Sequence, residues 1–500
     1  MKLSLLSYFL LFVVSGLKNM VATSPSVIVV GAGPAGIAAA TKLLENSITN
    51  ITILEAGNRI GGRINSVRLG DGFVDVGAEY CHGREENVVY ELVKDLDLLQ
   101  HSKPCTPEYL KLYYSNGSTI EEEMTMNLAK LIQNYDDEIN QTCGLSLGDA
   151  FLPVYNSTIL KKYENDKQKL KVATEALKYT NDLILLHEGA FSWLRPSAGR
   201  HYRACKGDQG MTWKKGGYHT ILDVLMKSYP DPSQKLPIDD KIFFDKKVTK
   251  IIWNNDDDEV IVKTFDNSSL TAHHVIFTPS IGVLKKQKDS LFHPQLPERK
   301  ENAMEAMGFD AIVKIILHFP QRWWGDDDAD FFFVWSKEDL LNTIHEFPDG
   351  PSQHGVSWVA QIVALVEVPS NRNVRIALFS GDLVPKIEQT PEELVKRGCM
   401  YVIRKFLGRH YNVTDADKII RSQWYTDPNF RGTYSYEKNG YFKREVSYQA
   451  QLAEPLLDDE DIPRVLFAGE ATHPTVYSTV HGAIESGRRE AERIINLHKK

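Results

Sequence analysis

Apolar and polar positions along this chain follow two periods, and each change from one to the other marks an element. Val27 to Val30 is a β-branched run too short for a helix and reads as a buried strand. Gly31-Ala32-Gly33-Pro34-Ala35-Gly36 follows it, and Ile37 to Leu44 then has the small-residue spacing of a helix. Ile51 to Leu54 is a second strand that ends on Glu55. Asp71 to Gly83 alternates short apolar residues with glycines and reads as a strand and loop returning to the first unit. From Glu85 to about His187 the spacing turns helical, with Val88, Val89, Leu92, Val93 and Leu96 on one face. The charged, glycine-poor stretch Leu160 to Leu186 extends that reading as a helical covering.

Gly216-Gly217-Tyr218 leads into another helix, and Val248 to Ile252, Val260 to Phe265 and Val275 to Thr278 read as strands. The polar tract Asn254 to Asp258 between the first two is a solvated turn. Phe309 to Phe319 reads as one buried strand interrupted by Lys314. Phe331 to Trp335, Trp358 to Val368 and Val374 to Phe379 add three more, in a sheet-rich unit ending near Arg431. Arg464 to Asn496 is strand, glycine turn and helix again. The whole is an α/β chain, and its 500 residues exceed what one core usually serves, so two domains are expected.

The order strand, G-x-G-x-x-G, helix, strand, acid is that of a dinucleotide-binding βαβ unit. Gly31, Gly33 and Gly36 supply a tight turn, close approach to a pyrophosphate, and close helix–strand contact. The amides of the helix start face the phosphates, and Glu55, roughly twenty residues on, suits a ribose hydroxyl. Arg59, Gly61, Gly62 and Arg63 continue the loop with two cations and open backbone, suited to a pyrophosphate or simply to an exposed basic loop.

Glu55 to Arg63 matches Glu-x-x-x-x-x-Gly-Gly-Arg, and here the chain resembles the flavin-containing amine oxidases, a resemblance that continues to the C-terminus. It implies non-tethered FAD rather than a nicotinamide cofactor, because Thr433 stands where monoamine oxidases carry a tethering cysteine. It implies a discontinuous Rossmann-type FAD-binding domain (25–84, 212–290 and 440–500) and a substrate-binding domain of mixed sheet plus helices (85–211 and 291–439). A backbone group at Val248 would contact the adenine, while Glu470 would accept from a ribityl hydroxyl or merely cap a helix. The segment from Tyr477 through Thr479 and Val480 to Gly487 carries the most specific part of the match.

Lys314 lies at the centre of an apolar strand, where it snorkels, pairs with an acid, or holds a water. The family's Lys-Ile-x-Leu-x-Phe segment is matched by Lys314 to Phe319 and implies the last role, beside the flavin. His82, in Gly-Ala-Glu-Tyr-Cys-His-Gly, stands where animal polyamine oxidases line the amine tunnel, with Tyr80-Cys81 in place of their Trp-Ile or Trp-Val. Trp424 and Tyr434 would flank the flavin, and a ring face attracts a cationic amine. Thr479 replaces a cage tyrosine, as in spermine oxidases, whose Arg-Gly-Ser-Tyr-Ser-Tyr closely matches residues 431–436. The expected reaction is oxidation of spermine, spermidine or acetylated derivatives with dioxygen, giving an aldehyde, a shorter amine and hydrogen peroxide. An L-amino-acid oxidase or other amine oxidase, a histone demethylase sharing the flavin motifs, and a catalytically inert secreted flavoprotein are the alternatives.

A formal charge of −8 disfavours nucleic acid and suits small cations. Lys2 followed by the apolar run Leu3 to Val14 reads as a signal peptide within residues 1–24, too short for a stable membrane span. Sequons at Asn50, Asn116, Asn140, Asn156, Asn267 and Asn412 agree with a secreted protein. Five cysteines leave at least one thiol unpaired; Cys105, Cys143, Cys205 and Cys399 are candidates for disulfides, and Cys81 falls in the candidate site. No pattern suggests a metal.

Overall fold

The computed structural model describes residues 24–101, 103, 109–139, 144–254, 259–325 and 330–499. The leader, Cys105, Cys143, Asn140 and most of the acidic turn lie outside these residues. Among the described residues no helix is long and apolar enough to cross a membrane.

Two six-stranded sheets organise the chain. The first runs Leu456–Leu457, Pro463–Phe467, His274–Phe277, Val27–Val30, Ile51–Leu54, Ile242–Phe243. Its pairings are parallel except at the Leu456–Leu457 edge. A parallel sheet covered on both faces needs near-continuous apolar strands, which is why Val27 to Val30 shows no polar alternation. Val27 and Val29 pack toward the helices Pro34–Glu45 and Val480–His498. Ile28 and Val30 pack toward the second layer, the sheet of Ser269–Ala272, Val260–Thr264, Val248–Ile252 and Phe292–His293. Residues 291–307, among them Leu296, Ala303 and Met304, belong to this same core.

The second sheet runs Lys418–Arg421, Val313–His318, Val374–Phe379, Ile362–Glu367, Asp330–Val334, Leu110–Tyr114. Val313, Ile315 and Leu317 face a core shared with the helix Glu392–Leu407. Ile316 faces the other way, onto Leu69, Val74, Val76 and Trp424. Period-2 alternation therefore puts Lys314 on the face turned toward the hairpin Ser66–Leu69/Gly72–Asp75. The helices Glu122–Ile139, Leu147–Tyr155 and Lys167–Glu188 cover the sheet's far end.

Three sequence expectations need correction. The region 85–187 is not uniformly helical, because Leu110–Tyr114 pairs in parallel with Asp330–Val334 as an edge strand. The run Phe309 to Phe319 is two strands, Met307–Phe309 and Val313–His318, broken where the buried Asp310 anchors Phe191 N, Arg195 and Tyr436. Cys205 and Cys399 are free rather than paired. Cys399 is buried inside the second core, and Cys205 faces His481 at 3.5 Å.

The helices Pro34–Glu45 and Val480–His498 touch backbone to backbone, since a Cβ at Gly487 would lie 2.0 Å from Ala35 O. Gly487→Ala is expected to cost about 1–3 kcal/mol by forcing the helices apart. Thermal unfolding of the purified variant should show a lowered midpoint, and an unchanged one would remove this contact from the argument.

Candidate active site

The four segments that carry the motifs all leave the carboxyl ends of parallel strands, where doubly wound sheets bind ligands: Gly31 after Val30, Glu55 after Leu54, Thr278 after Phe277, Glu470 after Phe467. Gly31 has φ +99°, and a Cβ there would meet Thr278 Oγ1 at 2.5 Å; one at Gly36 would meet Gly31 O at 2.0 Å. Gly33 begins the helix Pro34–Glu45 with no side-chain cap, so the first main-chain donors and the positive end of the dipole are left for an anion. Gly62 faces it, its Cα 3.9 Å from where a Gly33 Cβ would sit. Paired side chains would close this slot, which leaves its main chain open to an anion.

Glu55 lies beside the slot. Its Oε2 accepts from Ala32 N–H and its Oε1 from Gly57 N–H, both at 2.8 Å, and each oxygen keeps a lone pair for a hydroxyl. Both arginines make contacts within the protein. Arg59 donates to the carbonyls of Ile60, Gly62 and Ile64, closing its own loop. Arg63 donates to Thr433 O at 2.7 Å and Glu470 Oε1 at 2.9 Å. Glu470 is further held by Ser435 Oγ (2.6 Å) and Ser478 N (2.9 Å), so it joins three separate segments. Val248 lies where the ladder slips, Lys263 facing Lys250 while Thr264 faces Val248.

The loop 75–79 joins the two halves of the site. Trp424 Nε1 donates to Val76 O at 3.2 Å, and a Cβ on Gly77 would strike Arg63 O at 1.9 Å and Trp424 Cζ2 at 3.0 Å. Lys314 Nζ reaches the same loop at Gly77 O, 3.0 Å away. Lys314, Trp424, Arg63, Thr433 and Glu470 thus converge, although they come from distant parts of the chain. Asp75 is buried, accepts from Ser66 Oγ and Tyr218 N, and has its carboxyl pushed up to about 7 by burial and by Glu79.

Tyr80 and His82 have their ring centroids 6.0 Å apart. His82 Nδ1 lies 2.6 Å from Gln209 O. A carbonyl only accepts, so Nδ1 carries the proton and Nε2 keeps its lone pair. Burial lowers the His82 pKa and keeps the ring neutral. Tyr434 OH donates to Leu186 O at 2.5 Å, and its ring packs on Gly189, which caps the helix at φ +63° with a would-be Cβ 2.4 Å from Tyr434. Thr479 is buried at the start of the last helix. Its hydroxyl caps the last helix, donating to Val476 O (2.6 Å) and accepting from Gly482 N (3.0 Å), and Val480 begins that helix.

Sequence reasoning passed over His187, Glu188 and His481. His481 is buried and His187 is solvent-exposed; their pKa values are pushed down to about 3 and about 4 by desolvation and then by the field of His82. Glu188 accepts from Tyr135 OH (2.7 Å) and from Arg200. The one available signal was a polar pair, His187-Glu188, closing an otherwise amphipathic helix just before a glycine.

The sequence profile described as flavin containing amine oxidoreductase matches residues 34–495. The chain is 28% identical to the human peroxisomal N(1)-acetyl-spermine/spermidine oxidase and 30% identical to the bovine protein of that name, with 95% of each chain covered in both cases. It is 26% identical to polyamine oxidase 1 of Oryza sativa subsp. japonica, over 96% of this chain and 99% of that one.

Asp75 generates a pH prediction. Its folded pKa exceeds the unfolded value of 3.8, so the native state holds the extra proton between about 4 and about 7, and stability falls as pH rises through that window. Asp75→Asn can keep the acceptor for Tyr218 N but has nothing to ionise. Its melting temperature relative to the unsubstituted protein should rise from pH 4.5 to pH 8. Parallel curves would show that Asp75 does not titrate there.

Proposed function

The chain belongs to the flavin containing amine oxidoreductase family and is an FAD-dependent amine oxidase, and from that premise we propose that its substrates are the polyamines spermine and spermidine or their acetylated derivatives. The proposed balance is amine, dioxygen and water giving an aldehyde, a shorter amine and hydrogen peroxide. FAD supplies the two-electron chemistry, and the protein supplies binding, orientation and electrostatics. Gly31, Gly33, Gly36, Gly62, Glu55 and Glu470 would hold it, with Arg63 acting through Glu470.

The observation that carries the substrate reading is neutral His82. Polyamines arrive as ammonium ions, whereas oxidation beside nitrogen requires the free base. The Nε2 lone pair of His82 accepts a hydrogen bond from the incoming ammonium. The faces of Tyr80 and Tyr434 each add about 0.5–2 kcal/mol of cation–π attraction where a methylene-linked cation passes. Lys314, on its strand across from the cradle, holds the water that serves reoxidation and imine hydrolysis. An L-amino-acid oxidase would need an arginine directed at the substrate carboxylate, but Arg63, Arg195 and Arg200 are each held by an acid: Glu470, Asp310 and Glu188.

Secretion is proposed from the leader, and the sequons Asn50, Asn116, Asn156, Asn267 and Asn412 are all exposed. The test of both proposals is peroxide formation by protein collected from the medium of expressing eukaryotic cells. Spermine, spermidine, their acetylated forms, a monoamine and an amino acid are compared. Polyamine-dependent peroxide is expected. Peroxide with the amino acid alone, or with none of the panel, would overturn the substrate reading, and absence of the protein from the medium would overturn secretion.

Thr433 stands at the position of a tethering cysteine, and its hydroxyl and N–H both point to Asp310 O. We therefore expect acid precipitation to release the flavin intact into the supernatant. Colour retained in the pellet would show a covalent link.

A further inference from the structure

Lys314 has a counter-charge that the motif does not account for. Its ammonium lies 2.5 Å from Glu79 Oε2, and the two side chains are only 10% and 8% exposed. Its other donors go to Gly77 O at 3.0 Å and Asp75 O at 3.3 Å. An ammonium has three N–H groups, so all are committed. The bond to Asp75 O is the longest, hence the one a water would replace at least cost.

Glu79 is held in place from both sides along the chain. Gly77 is wedged between Arg63 O and Trp424, and Cys81 N donates to Met211 O at 2.8 Å. The carboxylate therefore approaches Lys314 from a short loop with no freedom to withdraw.

We propose that Glu79 is the positioning residue for Lys314, so that the lysine acts beside FAD as a neutral ion pair with one exchangeable hydrogen bond rather than as an isolated cation. This rests on the reading of Lys314 as the lysine of the flavin site. A lone ammonium in a dry pocket stabilises added negative charge on a neighbouring electron acceptor, and a carboxylate at 2.5 Å cancels most of that field. Glu79 then sets both where the ammonium stands and how strongly it favours the reduced cofactor.

The test uses full-length, FAD-replete protein and reads the flavin's two-electron potential together with its reoxidation rate by dioxygen in stopped flow. Glu79→Gln is expected to favour reduction about tenfold, a rise of about 30 mV for a two-electron couple. That shift should vanish when Glu79→Gln is made in the Lys314→Met background. An unchanged potential in Glu79→Gln, or the same shift in both backgrounds, overturns the proposal. Lys314→Met alone should slow reoxidation, and wild-type reoxidation there would remove the underlying lysine reading instead. Should Glu79→Gln fail to retain FAD, Glu79→Asp withdraws the carboxylate by one methylene while keeping its charge. Slowed reoxidation then supports the pair, and wild-type values for both readouts overturn it. A carboxylate serving stability alone would lower the melting temperature of these variants without moving the potential of the flavin that remains bound.

Discussion

A strand buried on both faces cannot leave an ammonium without acceptors, and that constraint on Lys314 ties the two halves of this protein together. Its acceptors are not on its own sheet. They are two main-chain carbonyls and one carboxylate of the loop 75–79, which belongs to the hairpin on the other side of the site. The sheet that carries the lysine is therefore satisfied only when the cofactor-side loop is docked against it. Trp424 repeats the connection by donating to Val76 O.

The remaining polar groups of the site follow the same economy. Charges that looked free in the motif are spent on the protein: Arg59 on three carbonyls, Arg63 on Thr433 O and Glu470, Glu470 on Ser435 and Ser478. What stays open includes the uncapped helix start at Gly33, the slot opposite Gly62 and the remaining lone pairs of Glu55. A cradle made of amides has little side-chain entropy to lose when the cofactor enters. Desolvation lowers the pKa values of His82, His187 and His481, so these rings carry lone pairs rather than positive charge.

Much of this was legible in the residues. The βαβ unit, Glu55 and the returning strand before Glu470 are local patterns, because a turn of glycines and an uncapped helix are determined within a few residues. That Thr479 also caps the last helix was readable from its place just before an amphipathic run, since a threonine there accepts from the helix's first donors. The edge strand Leu110–Tyr114 was missed because its pairing partner stands more than two hundred residues away at Asp330–Val334. Cys205 and Cys399 gave no sign in one dimension of whether another sulfur would lie within reach.

The sequence by itself determined the α/β class, the glycine turn into the first helix and the presence of one anomalous lysine, since each depends on spacing along a single short segment. Only the tertiary structure decided what that lysine meets. Glu79 and Lys314 are 235 positions apart, and neither periodicity nor composition ranks one buried acid above another as its partner. The same holds for His82 with His187 and His481. Desolvation lowers all three pKa values and the field of His82 adds to it at His187 and His481, and both are properties of how the chain is folded around them rather than of their order within it.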